Sequence, residues 1–193
     1  MAGEETTNTN LDASRVSVGE AKVTGAIFVA PTTVPLPTDG TTSLNAAYKC
    51  LGYTSDSGLV VSESSSTKSL RVWEGQAEVR TIKNQRTEQI KFTPVECNEQ
   101  VAKLTWGDDK VTVASGTGNL TIKHHGQTLD PVHIVIEMVP FAGAVQRSCA
   151  KVQLTERGDA NYNGQDFSGR ETTLNCLADA SGVTMTDYIC FTD

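Results

Sequence analysis

The sequence predicts a mainly β fold with one short flanking helix. Three observations carry this. Thr, Ser, Val and Gly are abundant and helix formers are not, which favours strand. Apolar and polar residues alternate with period two in two long segments, around residues 77–93 and 131–155. A single stretch, VECNEQVAKLTWG, carries a helical stripe.

The chain has 193 residues, enough for one domain with a substantial core. Residues 1–15 are polar, small and acidic and bury too little to fold alone, so a flexible arm is expected there. Such an arm could order against a neighbouring subunit. The domain is expected to span 16–193. VSVGEAKVTGAIFVA reads as one or two strands interrupted at Gly19 and Gly25. Pro31, Pro35 and Pro37 then stiffen an extended connector. TSLNAAYKC can form a helical turn before the chain straightens.

The chain is organised around the run from Leu51-Gly-Tyr53 through Trp73-Glu-Gly75 to Trp106-Gly-Asp-Asp109. It opens with turn-rich LGYTSDSGL. Val60 and Val61 suggest a short strand. SESSSTKS is low in complexity, so a long exposed loop is expected over about 54–70. In 77–93, Ile82, Ile90 and Phe92 share one parity, and Lys83, Gln85, Thr87, Gln89 and Lys91 the other. This is a half-buried strand, long and bent, or a hairpin turning near Asn84.

The helix is expected over about 96–106. Cys97, Val101 and Leu104 form its stripe, Glu96 and Glu99 favour its positive end, and Gly107 ends it. The stripe is expected to pack on the sheet. KVTVAS and NLTIKHH read as two short strands joined through GTG. PVHIVIEMVP sets Val132, Ile134, Ile136 and Met138 against His133, Val135, Glu137 and Val139. The mixed face suggests contact with water or another subunit. Phe141-Ala-Gly143 turns the chain into AVQRSCAKVQLTE, the partner strand. Residues 156–169 read as a polar loop, 170–180 as a strand, and YICFTD as an edge strand or tail.

Composition narrows function. The net charge is −7, so general affinity for nucleic acid is not expected, since that comes from Lys and Arg. A conduit for DNA would still be consistent, because it must repel what it carries. Five cysteines, with no CxxC, read as free buried thiols. No signal peptide and no membrane-spanning apolar run is expected. Asn119-Leu-Thr121 matches a glycosylation sequon and Arg157-Gly-Asp159 an adhesion tripeptide; both read as chance matches. His124 and His125 are adjacent and point to opposite faces of a strand, so they cannot chelate together. No nucleophile elbow, phosphate loop or metalloprotease motif occurs, so no catalytic, cofactor-binding or metal-binding residues are assigned and the chain is not expected to be an enzyme.

Taken in order, VSVGEAKVTGAIFVAP, PLPTD, LNAAYKCLGYTSDSGL, the WEG and the long strand, the helix ending in WGDD, VHIVIEM and LADASG resemble the major tail tube proteins of long-tailed (siphovirus) bacteriophages. The resemblance runs from about Val16 to Ala180. It implies a β-sandwich, β-barrel-forming domain with one flanking helix. It implies hexameric rings whose sheets close into a continuous barrel and stack into a tube for genomic DNA. Ring closure would pair sheet edges that are otherwise an aggregation hazard, and head-to-tail stacking would propagate. The implied partners are the chain itself, tape-measure, tail tip and tail terminator proteins, and double-stranded DNA that passes without specific binding; no membrane is implied. The implied location is the virion tail, after assembly in the host bacterial cytoplasm.

On this reading Val16, Val18, Ser55, Asp56, Ser64, Ser65 and Ser66 are candidate inter-subunit contacts. Glu137 and Glu171 are candidate lumen-facing acids. The arm and the 55–70 segment are expected to be mobile in the monomer and ordered in the tube. The alternatives are a secreted or cell-surface β-sandwich binding carbohydrate or a receptor, and a tube protein of a contractile injection system or another head or connector part.

Overall fold

The structure is a computed structural model that describes residues 13–191. The first twelve positions of the expected arm therefore lie outside the described residues. The strands are β1 (Glu20–Ala21), β2 (Ile27–Pro31), β3 (Lys49–Cys50), β4 (Thr54–Arg71) and β5 (Glu78–Pro94). After helix α1 (Glu99–Trp106) come β6 (Val111–Val113), β7 (Leu120–Ile122), β8 (Val132–Val139), β9 (Ala144–Ala160), β10 (Arg170–Cys176) and β11 (Met185–Phe191). The fold is mainly β with one short helix, as the patterning predicts.

Nine strands form one antiparallel sheet in the order β3-β2-β8-β9-β10-β5-β4. Within it, β1 also pairs with the end of β8, and β11 with the first half of β9. β6 and β7 form a separate ribbon beside α1. The expected turn at 141–143 joins β8 to β9, and their register places Ile134 opposite Ala150 and Glu137 opposite Arg147.

One sheet face carries the main core. Ile90, Ile134, Val152 and Leu174 are fully buried there, and Leu104 and Val101 of α1 pack against them. The helix begins later than expected. Asn98 caps it, its side-chain oxygen accepting from the Val101 amide at 2.9 Å, while its amide nitrogen donates to the Leu51 carbonyl at 2.9 Å. Glu96 lies before the cap and accepts from the Tyr53 amide at 3.1 Å. Cys97 is exposed and does not belong to the stripe; Ala102, Leu104 and Thr105 are the buried positions. Gly107, at φ 89°, closes the helix as anticipated, its amide donating to the Lys103 carbonyl.

The opposite sheet face is divided. Over β2, β8 and the first half of β9 it is apolar and covered by the 32–48 segment. Val135, Ala30, Cys149 and Tyr48 are buried there, with Val34, Leu36 and Leu44 against them. This corrects the expectation that the mixed face of 131–139 meets water or another subunit. The proline-rich connector is a strap that fills that face. Over β9, β10, β5 and β4 the face is polar; Gln89, Gln153 and Asn175 are half-buried there, and Gln153 donates to the Leu129 carbonyl at 2.8 Å.

The largest departure concerns 54–70. The expected loop is an 18-residue strand, β4, paired along its length with β5. Ser and Thr side chains suggested a loop, but a backbone ladder needs no apolar side chain once a partner strand lies alongside. β5 runs unbroken through Asn84, so the hairpin turns instead between Arg71 and Glu78, where Gly75 and Gln76 adopt positive φ.

β9 continues to Ala160, so the polar loop begins later than expected.

Candidate assembly interface

β4 is the terminal strand of the sheet, and among the described residues only β5 pairs with it. Its outer backbone edge is open. From residue 60 to residue 71 every side chain on it is exposed. Apolar groups stand out on this hairpin: Val60 is 55% exposed, Val79 61% and Trp73, at the tip, 92%. A long open edge with projecting apolar residues is a ready template for another chain.

Ser55, Asp56, Ser64, Ser65 and Ser66 all fall on β4. Val16 and Val18 are 66% and 55% exposed but lie elsewhere. The Val18 amide donates to the Pro140 carbonyl at 2.6 Å, at the β8–β9 turn, several strands from β4. The candidate contacts thus form two separate surfaces. An ion-pair group stiffens the root of the hairpin. Arg86 donates to Glu63 through Nε at 2.9 Å and through a terminal nitrogen at 3.3 Å, and it lies 3.5 Å from Glu88. Thr184 hydrogen-bonds Glu88 as well.

Glu137 is not a lumen-facing acid. It is 3% exposed and its carboxylate is fully engaged. Arg147, itself 4% exposed, donates to Oε1 through Nε at 3.0 Å and through a terminal nitrogen at 2.6 Å. Lys22 donates to Oε2 at 2.7 Å. Burial raises the Glu137 pKa, but its hydrogen bonds from Lys22 and Arg147 outweigh this and hold the carboxyl below its ordinary value. The remaining Arg147 nitrogen donates to the Asp39 and Thr42 carbonyls at 2.9 and 2.8 Å, which pins the strap. Sequence reading missed Arg147. A charged residue amid apolar neighbours, equally far from the turn as Glu137, was the available signal. Glu171 is exposed, beside buried Thr172.

A second cluster surrounds Trp106. The His124 ring stacks on it at 3.8 Å and 3°. The Arg157 guanidinium lies 4.7 Å from its centroid, and Arg157 Nε donates to the Thr105 carbonyl at 2.7 Å. Arg157 therefore serves internal packing, which accounts for the Arg157-Gly-Asp159 tripeptide within β9. Next to α1, an open groove of about 850 Å³ runs beside β2 and the 125–131 segment. Lys49, Lys103, Asp108, Asp109 and Asp130 line it with mixed charge. Among the described residues no three His, Cys, Asp or Glu side chains converge as metal ligands, and no helix is long and apolar enough to cross a membrane. The cysteines are free: Cys149 and Cys176 are buried, Cys50 and Cys190 partly so, and Cys97 exposed.

These surfaces define a structural β protein whose most prominent unsatisfied feature is a sheet edge. A protein-family model described as Phage tail tube protein matches residues 11–190. The chain belongs to the phage tail tube family, a structural family whose members assemble into the tail of the virion with other tail components. Comparison with curated proteins returned no match.

Proposed function

We propose that this chain forms the tail tube of a long-tailed phage as stacked hexameric rings, and that the tube conducts genomic DNA. One observation carries the reading: the outer edge of β4 is long, exposed and unpaired among the described residues. A sheet ending in such an edge is incomplete alone. Pairing it with another copy in a closed ring removes the edge, whereas free pairing would aggregate. Head-to-tail stacking of rings then extends as an open filament. Tape-measure, tip and terminator proteins would set length and ends. The acidic balance of the chain suits a conduit that offers DNA few cations to rest on.

Electron microscopy of concentrated purified protein tests this: uniform hollow tubes are expected, and dispersed monomers at all concentrations would end it. The edge is tested separately by Ser64→Pro and Ser65→Pro. Neighbouring strand residues direct their amides to opposite sides, so one of the two removes only an outward donor. That variant should remain a folded monomer by circular dichroism and sedimentation yet fail to form tubes.

A further inference from the structure

Two arginines beside Trp106 carry charge that no carboxylate answers. Arg157 lies opposite Thr172 across β9 and β10, two positions from Arg170. Both arginines are half-buried. Their guanidiniums lie 4.7 and 6.0 Å from the Trp106 ring centroid. Arg157 donates through Nε to the Thr105 carbonyl, and Arg170 through one terminal nitrogen to the Gly158 carbonyl at 3.2 Å. Among the described residues no carboxylate pairs with either, although Glu156, Asp159 and Glu171 are near in sequence. The Trp106 ring attracts cations but has no net charge to offset them, and His124 already stacks on it. Burial, and then the Arg170 charge, push the Arg157 pKa below its ordinary value. Neighbouring guanidiniums with donors to spare are suited to carboxylates.

The sequence holds two adjacent acid pairs, Glu4-Glu5 and Asp108-Asp109. Asp108 and Asp109 are engaged by Lys103 and Lys110. Glu4 and Glu5 remain, and residues 1–14 contain no Lys or Arg to compete for them. Their own copy's arginines are a poor destination. The chain is anchored where β9 begins: the Val18 amide bonds the Pro140 carbonyl, and Arg15 lies 5.3 Å from the ring centroid of Phe191, which pairs with Ala144. Arg157 stands near the other end of β9, about 40 Å from Ala144 at roughly 3.3 Å per residue. From Ala13 a fully extended chain carries the Glu4 and Glu5 backbone about 30 Å. Even with side chains outstretched the acid pair barely spans its own β9, with every residue between held straight against chain entropy. A second copy whose β9 begins near Arg157 presents the pair without that demand.

We infer that Arg157 and Arg170 form an acceptor site for the Glu4-Glu5 carboxylates of a second copy. The inference rests on the tube reading above and gives that assembly a latch. Acid pair and arginine pair are different surfaces, so each copy gives one and receives one, a heterologous contact that repeats from copy to copy. Trp106 is the shelf that holds the two guanidiniums side by side.

The test uses the full chain and its critical concentration for tube assembly, read by sedimentation across a salt series. Glu4→Gln with Glu5→Gln should raise that concentration roughly tenfold, the effect of losing about one charge-assisted hydrogen bond, and should flatten its salt dependence. Glu4→Lys with Glu5→Lys should raise it further, as should Arg170→Glu alone, and the three substitutions together should regain most of the loss. Circular dichroism of the monomers checks that Arg170→Glu folds; if it does not, the glutamine pair and a helical reconstruction of wild-type tubes decide. In that reconstruction the Glu4 and Glu5 carboxylates should lie at the arginines of an adjacent copy. Finding them at their own copy's arginines, or another acid or a DNA phosphate in the site, would overturn the inference and leave the tube reading standing. Assembly unaffected by the glutamine pair would do the same. Failure of wild type to form tubes at all would remove the tube reading, and the inference with it.

Discussion

A single guanidinium, that of Arg147, joins three parts of the chain: β8 through Glu137, the strap through the Asp39 and Thr42 carbonyls, and, by way of Glu137, the N-terminal segment at Lys22. Arg147→Ala would leave the Glu137 carboxylate buried with two of its three side-chain donors gone. We expect a loss of about 3–5 kcal/mol, read from urea denaturation, against a much smaller effect of Lys22→Ala at the partly exposed end of the cluster. The Glu137 pKa is depressed in the folded state from an ordinary value of 4.5. Its stabilising contribution is therefore fully present above that value and is lost as pH falls through the lower, folded one. A Glu137→Gln, Arg147→Met double variant should show a shallower decline of stability with acid; an unchanged decline would place acid sensitivity elsewhere. Burial pushes the thiols of Cys149 and Cys176 up to about 11 and about 12. At mild pH a maleimide reagent should modify Cys97 first and leave those two untouched until the protein unfolds. The Glu137–Arg147 pair was within reach of sequence reasoning, because placing the turn at 141–143 fixes their register. What hid it was the strap. Nothing in the alternation of 131–139 says that a proline-rich connector remote in sequence will cover the mixed face.

At the scale of elements, legibility followed local patterning. The β8–β9 hairpin, the β6–β7 ribbon and the strand character of 77–93 rest on alternation and turn residues that neighbours in sequence supply. β4 does not. Its Ser-rich half has no apolar face, and its strand state depends on a register with β5 that no local pattern encodes. The helix start was misplaced for a related reason: Glu96 looked like a first-turn acid, whereas Asn98 is the cap and Glu96 receives the Tyr53 amide. Asn98→Ala is expected to cost about 1 kcal/mol for the lost cap, more if the orphaned Leu51 carbonyl finds no water. Chemical denaturation would measure it, and Glu99→Ala, which leaves the cap in place, is the control. The hairpin itself gives a dynamic expectation. Beyond the Arg86–Glu63 pair, the described residues of 64–83 are all exposed except half-buried Val72. Amide hydrogen exchange in 64–83 should be fast in the monomer and strongly slowed in tubes. Fast exchange in both states would show that the hairpin stays out of the assembly.

For the whole molecule, the sequence conveyed class better than surface. The order of segments from Val16 to Ala180 carried the family, and the family match over 11–190 agrees with it. Which parts of the sheet are covered could not be read, since that depends on where the helix and strap dock. The net charge of −7 does not say where on the surface the acids lie. Bulk charge is a sum over all surfaces and does not say which of them meets a partner.

β9 is gripped along both flanks, by β8 on one side and by β11 and then β10 on the other. A pull along that strand must break many backbone bonds together, whereas a sideways pull at the free hairpin peels them one after another. The subunit is consequently stiff in one direction and yielding in another. A flexing filament of such subunits would place its deformation at the seams between copies, and each copy would keep its shape.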